Sequence, residues 1–191
     1  FDHPEVNAEA MNAITQQTAQ MKALIEQMLQ LARASEQTQL DWKTVSIEPI
    51  LTSIQQSMQQ AYNRKVYLQG DLTATLTTDE AKLRQILYIF LDNARKYSED
   101  DITVTVKDGT QLQIEITDHG IGIPAEDIPH IFERFYRVSK DRNRKTGGTG
   151  LGLSIAKQFA DLIGATTSIT SEVGVGTTVT LQLPKEGLQH D

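Results

Sequence analysis

The sequence predicts an α/β two-layer sandwich, a mixed sheet with helices on one face, preceded by a long amphipathic helix. Three observations predict it: helix-like and strand-like periods are interspersed along the chain, two runs near its middle alternate strictly around a turn, and a Gly- and Pro-free opening stretch repeats apolar residues at heptad spacing. Length and composition agree with that class. With 191 residues, 39% hydrophobic and 23% charged, the chain suits one full domain with an appendage, and disorder of the whole chain is excluded. A net charge of -7 argues against a broad basic face for duplex DNA or anionic lipid, so no nucleic-acid partner is expected. The absence of cysteine rules out disulfides and thiolate chemistry and fits a reducing compartment. His3, His119, His130 and His190 are too scattered for a zinc site. The longest apolar run, Ile86 to Leu91, falls far short of the roughly 20 residues of a membrane span. As given, the chain reads as soluble, and its start at Phe1 reads as that of a processed piece or fragment.

From about Glu5 to Ala34, the residues Ile14, Met21, Leu24, Ile25, Met28, Leu31 and Ala32 form one apolar stripe among Gln and Thr. A single stripe must find a partner, either its own domain or a helical bundle between chains. After a connection from Ser35 to Thr44, with a domain boundary near residue 42, Ser46 is an expected N-cap and Pro49 fits the first turn of a helix. Ile50, Leu51, Ile54, Met58 and Ala61 share its inward face. Short strands are expected at Val66 to Gln69 and Ala74 to Thr77, around Gly70-Asp71. Asp79 caps a helix to about Lys96, with Leu83, Ile86, Leu87, Phe90 and Leu91 inward. Ile102 to Val106 and Leu112 to Thr117 form a hairpin over Lys107-Asp108-Gly109-Thr110. A short helix from Pro124 to Phe132, a basic stretch from Arg137 to Thr146, a helix from Gly150 to Ile163 and two strands around Gly174-Val175-Gly176 complete the chain.

Four constellations carry chemistry. Asp118-His119-Gly120-Ile121-Gly122 follows a strand, where a carboxylate can accept from an exocyclic amine and glycines let the backbone approach a flat ring; an ordinary turn has the same appearance. Gly147-Gly148-Thr149-Gly150-Leu151-Gly152-Leu153 opens a helix, an arrangement that frees N–H groups for an anion, or a simple hinge. It is neither a Walker A loop nor a Rossmann fingerprint. Asn93, Lys96 and Tyr97 share one helix face and offer an amide oxygen for a cation, an ammonium for phosphate and a ring for a base. Arg137, Lys140, Arg142, Arg144 and Lys145 form a basic run, a solvated loop or a lid over a polyphosphate.

Together, in this order, these segments resemble the catalytic ATP-binding domain of sensor histidine kinases, the Bergerat fold shared with gyrase, heat-shock chaperone and mismatch-repair ATPases. Leu91 to Ser98 resembles the N box, Asp118 to Ile123 the G1 box, Ile131 to Arg137 the F box, Gly148 to Leu153 the G2 box and Gly174 to Thr177 the G3 turn. The resemblance covers about residues 46 to 184. It implies that Asp118 binds the adenine amino group with Thr177 assisting through water, that Asn93 holds Mg²⁺, and that Lys96 and Arg137 neutralise phosphate charge. It also implies that Tyr97, with Gly120, Gly122, Ile123 and Phe135, lines the nucleotide site, that Gly148, Thr149, Gly150, Leu151, Gly152 and Leu153 cradle the triphosphate, and that residues 137 to 146 form the ATP lid. Residues 1–41 look like the second helix of a dimerisation and histidine-phosphotransfer hairpin with its linker, 42–186 like the catalytic domain, and 187–191 like a tail. ATP and Mg²⁺ are the implied ligands. The implied partners are a second copy of the parent, the phosphotransfer hairpin and a response-regulator receiver domain, with the domain cytoplasmic and the parent membrane-anchored. A nucleotide-binding regulatory module without phosphotransfer is the alternative.

Two departures stand out. Many family members carry a second Asn where this chain has Ile89, and related ATPases place a water-activating Glu there; Ile89 can neither ligate a metal nor act as a base. The phosphoacceptor signature is also missing, because His3 is followed by Pro4 and His119 lies in the nucleotide motif. The sequence therefore resembles the donor half of a phosphoryl transfer without its acceptor.

Overall fold

The computed structural model describes residues 39–138 and 148–186, together with Met11, Thr15, Thr18 and Ile25. The chain divides into two compact units, Phe1–Gln37 and Thr38–Asp191. In the first, the four described residues are helical, and the Thr15 hydroxyl donates to the Met11 carbonyl at 2.8 Å. Ile25, expected on the apolar stripe, is exposed there, as is Met11. The rest of the stripe lies outside the described residues.

The second unit runs β1 (Trp42–Ser46), α1 (Ile47–Tyr62), β2 (Val66–Gly70), β3 (Thr75–Asp79), α2 (Glu80–Tyr97), β4 (Ile102–Asp108), β5 (Gln111–Asp118), α3 (Gly152–Leu162), β6 (Thr166–Glu172) and β7 (Gly176–Pro184). The main sheet has the order β2-β4-β5-β7-β6. β2 pairs with β4 in parallel and the remaining neighbours are antiparallel, so the sheet is mixed. Period-two alternation decides its two faces. Ile102, Val104 and Val106, then Leu112, Ile114 and Ile116, then Val179, Leu181 and Leu183 are buried together, whereas Thr103, Thr105, Gln113, Thr117, Thr178 and Thr180 on the opposite face are partly open. The helices cover the first face, with Ile50, Leu51, Ile54 and Met58 of α1, Leu83, Ile86, Leu87, Phe90 and Leu91 of α2, and Ile155 and Phe159 of α3 all buried.

Local chemistry sets most of the boundaries. The Asp79 side chain accepts from the Lys82 N–H at 3.0 Å and starts α2 where expected. Ser46 occupies the N-cap of α1 but makes no side-chain cap bond. At the other end of α1, Asn63 adopts φ 51, and its N–H and that of Arg64 reach back to the Gln59 and Met58 carbonyls, a left-handed stop. The β4–β5 hairpin turns at Gly109-Thr110 and the β6–β7 hairpin at Gly174, both as expected.

Three expectations need correction. Ala61 is exposed, because it lies past the last turn that packs on the sheet. Residues 42–46 form a strand instead of part of a connection; only Val45 is buried, so the apolar signal is a single residue. The two short strands expected around Gly70-Asp71 are present as β2 and β3, with β3 joining β1 in a separate two-stranded sheet. Pro124 to Phe132 is not a helix but successive turns, in which Asp127, His130 and Glu133 donate their N–H groups to the carbonyls three residues earlier. Pro129 lacks the N–H that an α-helical ladder would use there.

The connection after α2 is held from outside the helix. The Arg64 guanidinium donates to the carbonyls of Glu99, Asp100 at 2.7 Å and Ser98 at 2.8 Å, so one cation ties down three carbonyls of the segment that follows the helix. Arg64→Ala should lower stability by about 1–3 kcal/mol, seen as a lower urea midpoint with an unchanged m-value.

Candidate functional site

The inward-facing row of β5 ends on a carboxylate. Asp118 follows Leu112, Ile114 and Ile116 on the buried face and is itself only 7% exposed. Two backbone N–H groups point at it, that of Gly120 at 2.9 Å and that of Thr177 on the neighbouring β7. Burial pushes the Asp118 carboxyl above its ordinary value of 3.8, and these N–H groups and His119 only partly counter the shift. A carboxylate has about four acceptor positions, so Asp118 keeps capacity for a further donor.

Packing around Asp118 is tight enough to require glycine twice. A Cβ on Gly120 would overlap the Tyr97 carbonyl oxygen, and Gly176, at φ 138, has the Asp118 carbonyl in the same relation. The loop after β5 is tied to its surroundings: Ile121 N–H donates to the Tyr97 carbonyl at 3.1 Å, Gly174 N–H donates to the Ile121 carbonyl at 2.9 Å, and Ile123 N–H donates to the Ser171 hydroxyl at 2.8 Å. The loop carrying Gly120, Gly122 and Ile123 therefore sits between the end of α2 and the β6–β7 hairpin.

The last turns of α2 bring the expected helix residues to this place. Tyr97 supplies the carbonyl just described, and its hydroxyl lies near the Cα of Gly148. Asn93 is partly exposed, and its carboxamide has no hydrogen-bond partner among the described residues. Lys96 is paired with Asp92 at 2.5 Å, and Asp92 also accepts from Arg95 at 2.7 Å. Arg95 in turn stacks on the Tyr62 ring at 4.0 Å. Lys96 is thus held at the helix end by a carboxylate that the sequence reading did not single out.

The glycine cluster meets α2 from the other side. The side chain of Ile89 lies against Gly152, the first residue of α3. Leu151 stands at the N-cap with no side-chain hydrogen bond and no acidic residue follows in the first turn, so the positive end of α3 is neither capped nor neutralised by its own sequence. Thr149 Oγ1 accepts from the Leu151 N–H at 3.3 Å. Leu151 is buried and Leu153 is partly covered. Phe135, at φ 65 and largely exposed, donates its N–H to the Gly150 carbonyl at 2.8 Å and so holds the middle of the glycine cluster. Arg137 is exposed just beyond. Residues 139–147, with the rest of the basic run, lie outside the described residues.

The structure thus gathers Asp118, Thr177, Gly120, Gly122, Ile123, Tyr97, Gly148 and Gly152 around the ends of α2, β5 and α3, while Lys96 is turned to Asp92. Among the described residues no group of three or more His, Cys, Asp or Glu is placed to hold a metal ion. A cation here would take the Asn93 amide oxygen and complete its shell from phosphate and water, which suits Mg²⁺. Sequence reasoning missed Ser171 and Asp92. Ser171 was within reach, because it lies three residues before Gly174 as Thr177 lies three after, and a hairpin centred there pairs them.

Residues 78–187 match the family model described as histidine kinase-, DNA gyrase B- and HSP90-like ATPase. The chain is 44% identical over 186 residues to the sensor histidine kinase YkoH of Bacillus subtilis (strain 168), covering 96% of this chain and 41% of that protein. It is 38% identical over 184 residues to the signal transduction histidine-protein kinase ArlS of Staphylococcus aureus (strain USA300), covering 92% and 40%. The chain therefore spans about two fifths of the curated relatives it matches. Among solved structures, full-length ShkA in complex with AMPPNP superposes with a TM-score of 0.75 at 26% identity, covering 93% of this chain and 38% of that one.

The raised carboxyl has a consequence for stability. Below the unfolded value Asp118 is neutral in both states; as pH rises through its higher folded value, the protein must ionise a buried group and loses stability. Asp118→Asn keeps an oxygen for Gly120 and Thr177 without the charge. In ligand-free protein it should unfold at a higher temperature than wild type near neutral pH, by a margin that shrinks as pH falls towards 3.8. Calorimetric melting over that range measures it.

Proposed function

The chain belongs to the histidine kinase-, DNA gyrase B- and HSP90-like ATPase family, and from that premise we propose that it is the ATP-binding, phosphoryl-donating domain of a sensor histidine kinase. Support comes above all from one observation: close glycine contacts bring both the loop after the buried Asp118 and the glycine cluster at the start of α3 against α2, the helix that carries Asn93. In this reading Asp118 accepts from the adenine amino group, and the tight Gly120 packing brings the loop close to the ring. The backbone N–H groups at the start of α3, with those of Gly148 to Leu153, receive phosphate oxygens at the positive end of the helix dipole. Lys96, released from or shared with Asp92, and Arg137 add positive charge, and Tyr97 and Phe135 border the site.

Mg²⁺, held through Asn93, would supply charge neutralisation between phosphates. The acceptor in the parent is a histidine imidazole on a dimerisation and phosphotransfer hairpin, which is its own nucleophile. This domain then has to position the γ-phosphate in line and stabilise developing charge. Ile89 fits that division of labour, because an apolar side chain against Gly152 offers water no base. We further assign residues 1–41 to the second helix of that hairpin and its linker, 42–186 to the catalytic domain and 187–191 to a tail. The parent is proposed to be a homodimer anchored in a membrane, with this domain cytoplasmic and a response-regulator receiver domain as the final acceptor.

Incubation with γ-labelled ATP and a separate hairpin polypeptide bearing an acceptor histidine tests the reading. Acid-labile label should appear on the added polypeptide and not on this chain, and Asn93→Ala should reduce it by at least about tenfold. Tight ATP binding with no transfer to any acceptor hairpin would instead identify a regulatory nucleotide module.

A further inference from the structure

Asp118, Thr177 and Ser171 stand in one row across β5, β7 and β6. The register pairs Asp118 with Thr177 and Thr177 with Ser171, and directly paired residues of antiparallel strands share a face. The Ser171 hydroxyl lies at the end of that row in three contacts: 2.9 Å from the Gly176 carbonyl oxygen, 2.8 Å from the Ile123 N–H and 2.8 Å from the Thr177 hydroxyl.

Proton bookkeeping decides the direction of each bond. A serine hydroxyl has one proton and two acceptor positions. The Gly176 carbonyl can only accept, so the Ser171 proton goes there. The Ile123 N–H can only donate, so it occupies one acceptor position. The remaining contact is satisfied only if Thr177 donates its own proton to Ser171. With that proton committed, the Thr177 oxygen offers only lone pairs to anything else. Beside it, ionised Asp118 is likewise an acceptor, and its neighbouring N–H groups are already pointed at it.

We infer that Ser171 is a specificity-determining positioning residue: by fixing the direction of the Thr177 hydroxyl, it makes the end of the row a pair of acceptors matched to an exocyclic amine. An amine at the purine 6-position has two protons to give, one for Asp118 and one for Thr177, directly or through water. A 6-carbonyl has none and faces acceptors only. The inference rests on the proposal that Asp118 meets the adenine amino group. Without Ser171, the Thr177 hydroxyl is free to rotate and can turn its proton towards a carbonyl or onto Asp118.

The test is the ratio of ATP to GTP affinity of the full chain, measured by calorimetry for wild type, Ser171→Ala, Ser171→Thr and Thr177→Val. Ser171→Ala should lower the ratio about tenfold, Ser171→Thr should restore it, and Ser171→Ala should change nothing further once Thr177 is Val. An unchanged ratio in Ser171→Ala, or an equal loss for both nucleotides, would reduce Ser171 to a structural clamp and overturn the inference. If Ser171→Ala does not fold, Thr177→Val leaves the bonds of Ser171 to Ile123 and Gly176 in place and must itself lower the ratio; a retained ratio there overturns the inference equally. A wild-type chain that binds neither nucleotide overturns the adenine-site proposal itself, an outcome distinct from ATP preference that ignores Ser171.

Discussion

A carboxylate kept out of water at the end of a central strand is the constraint on which the rest of the structure turns. Ionising a buried carboxyl is unfavourable unless donors surround it. Here the donors are backbone N–H groups from two different segments, Gly120 in the loop after β5 and Thr177 on β7. Both segments must therefore close on Asp118 to within hydrogen-bond distance. That closeness leaves no room for a Cβ at Gly120 or Gly176, and it pulls the loop against the end of α2 through Tyr97. The glycines follow from the carboxylate.

The C-terminal end of α2 is the second fixed point, because three chemically different tasks meet there. Its terminal connection is held by Arg64, its cations Arg95 and Lys96 are gathered by Asp92, and the Tyr97 carbonyl anchors the loop. Cations near a helix C-terminus also suit the macrodipole. A change at Arg64, on the connection after α1, thus bears on residues that border the proposed nucleotide site. The start of α3 is the complement: a helix N-terminus that its own sequence leaves uncapped and without acidic charge, facing the apolar Ile89.

Sequence alone was a good guide wherever a local rule decides the structure. Asp79 capped α2 as read, and the alternating runs of β4 and β5 paired over the expected turn. It was a poor guide where tertiary partners decide. β1 has one buried side chain and exists because β3 pairs with it, and Pro124 to Phe132 has helix-like spacing that resolves into turns around Pro129. The motifs around Asp118 and Gly148 to Leu153 were legible as motifs, and their convergence was legible only through the family resemblance, since it depends on β5–β7 register and on the position of Tyr97. For Ser171 only the position was within reach: its spacing about Gly174 sets it opposite Thr177. Its part emerges only when hydroxyl protons are counted, because a serine in a Thr- and Ser-rich strand does not stand out by type.

In the proposed nucleotide site the Asp118 carboxylate meets a purine 6-amino group. The most direct test of that contact compares the affinity of the wild-type chain for ATP with that for purine riboside triphosphate, which has hydrogen in place of the amine, and repeats both with Asp118→Ala. Wild type should bind ATP more tightly by about tenfold to a hundredfold, and the preference should disappear in the variant. Equal affinity of the wild-type chain for the two nucleotides would contradict the contact.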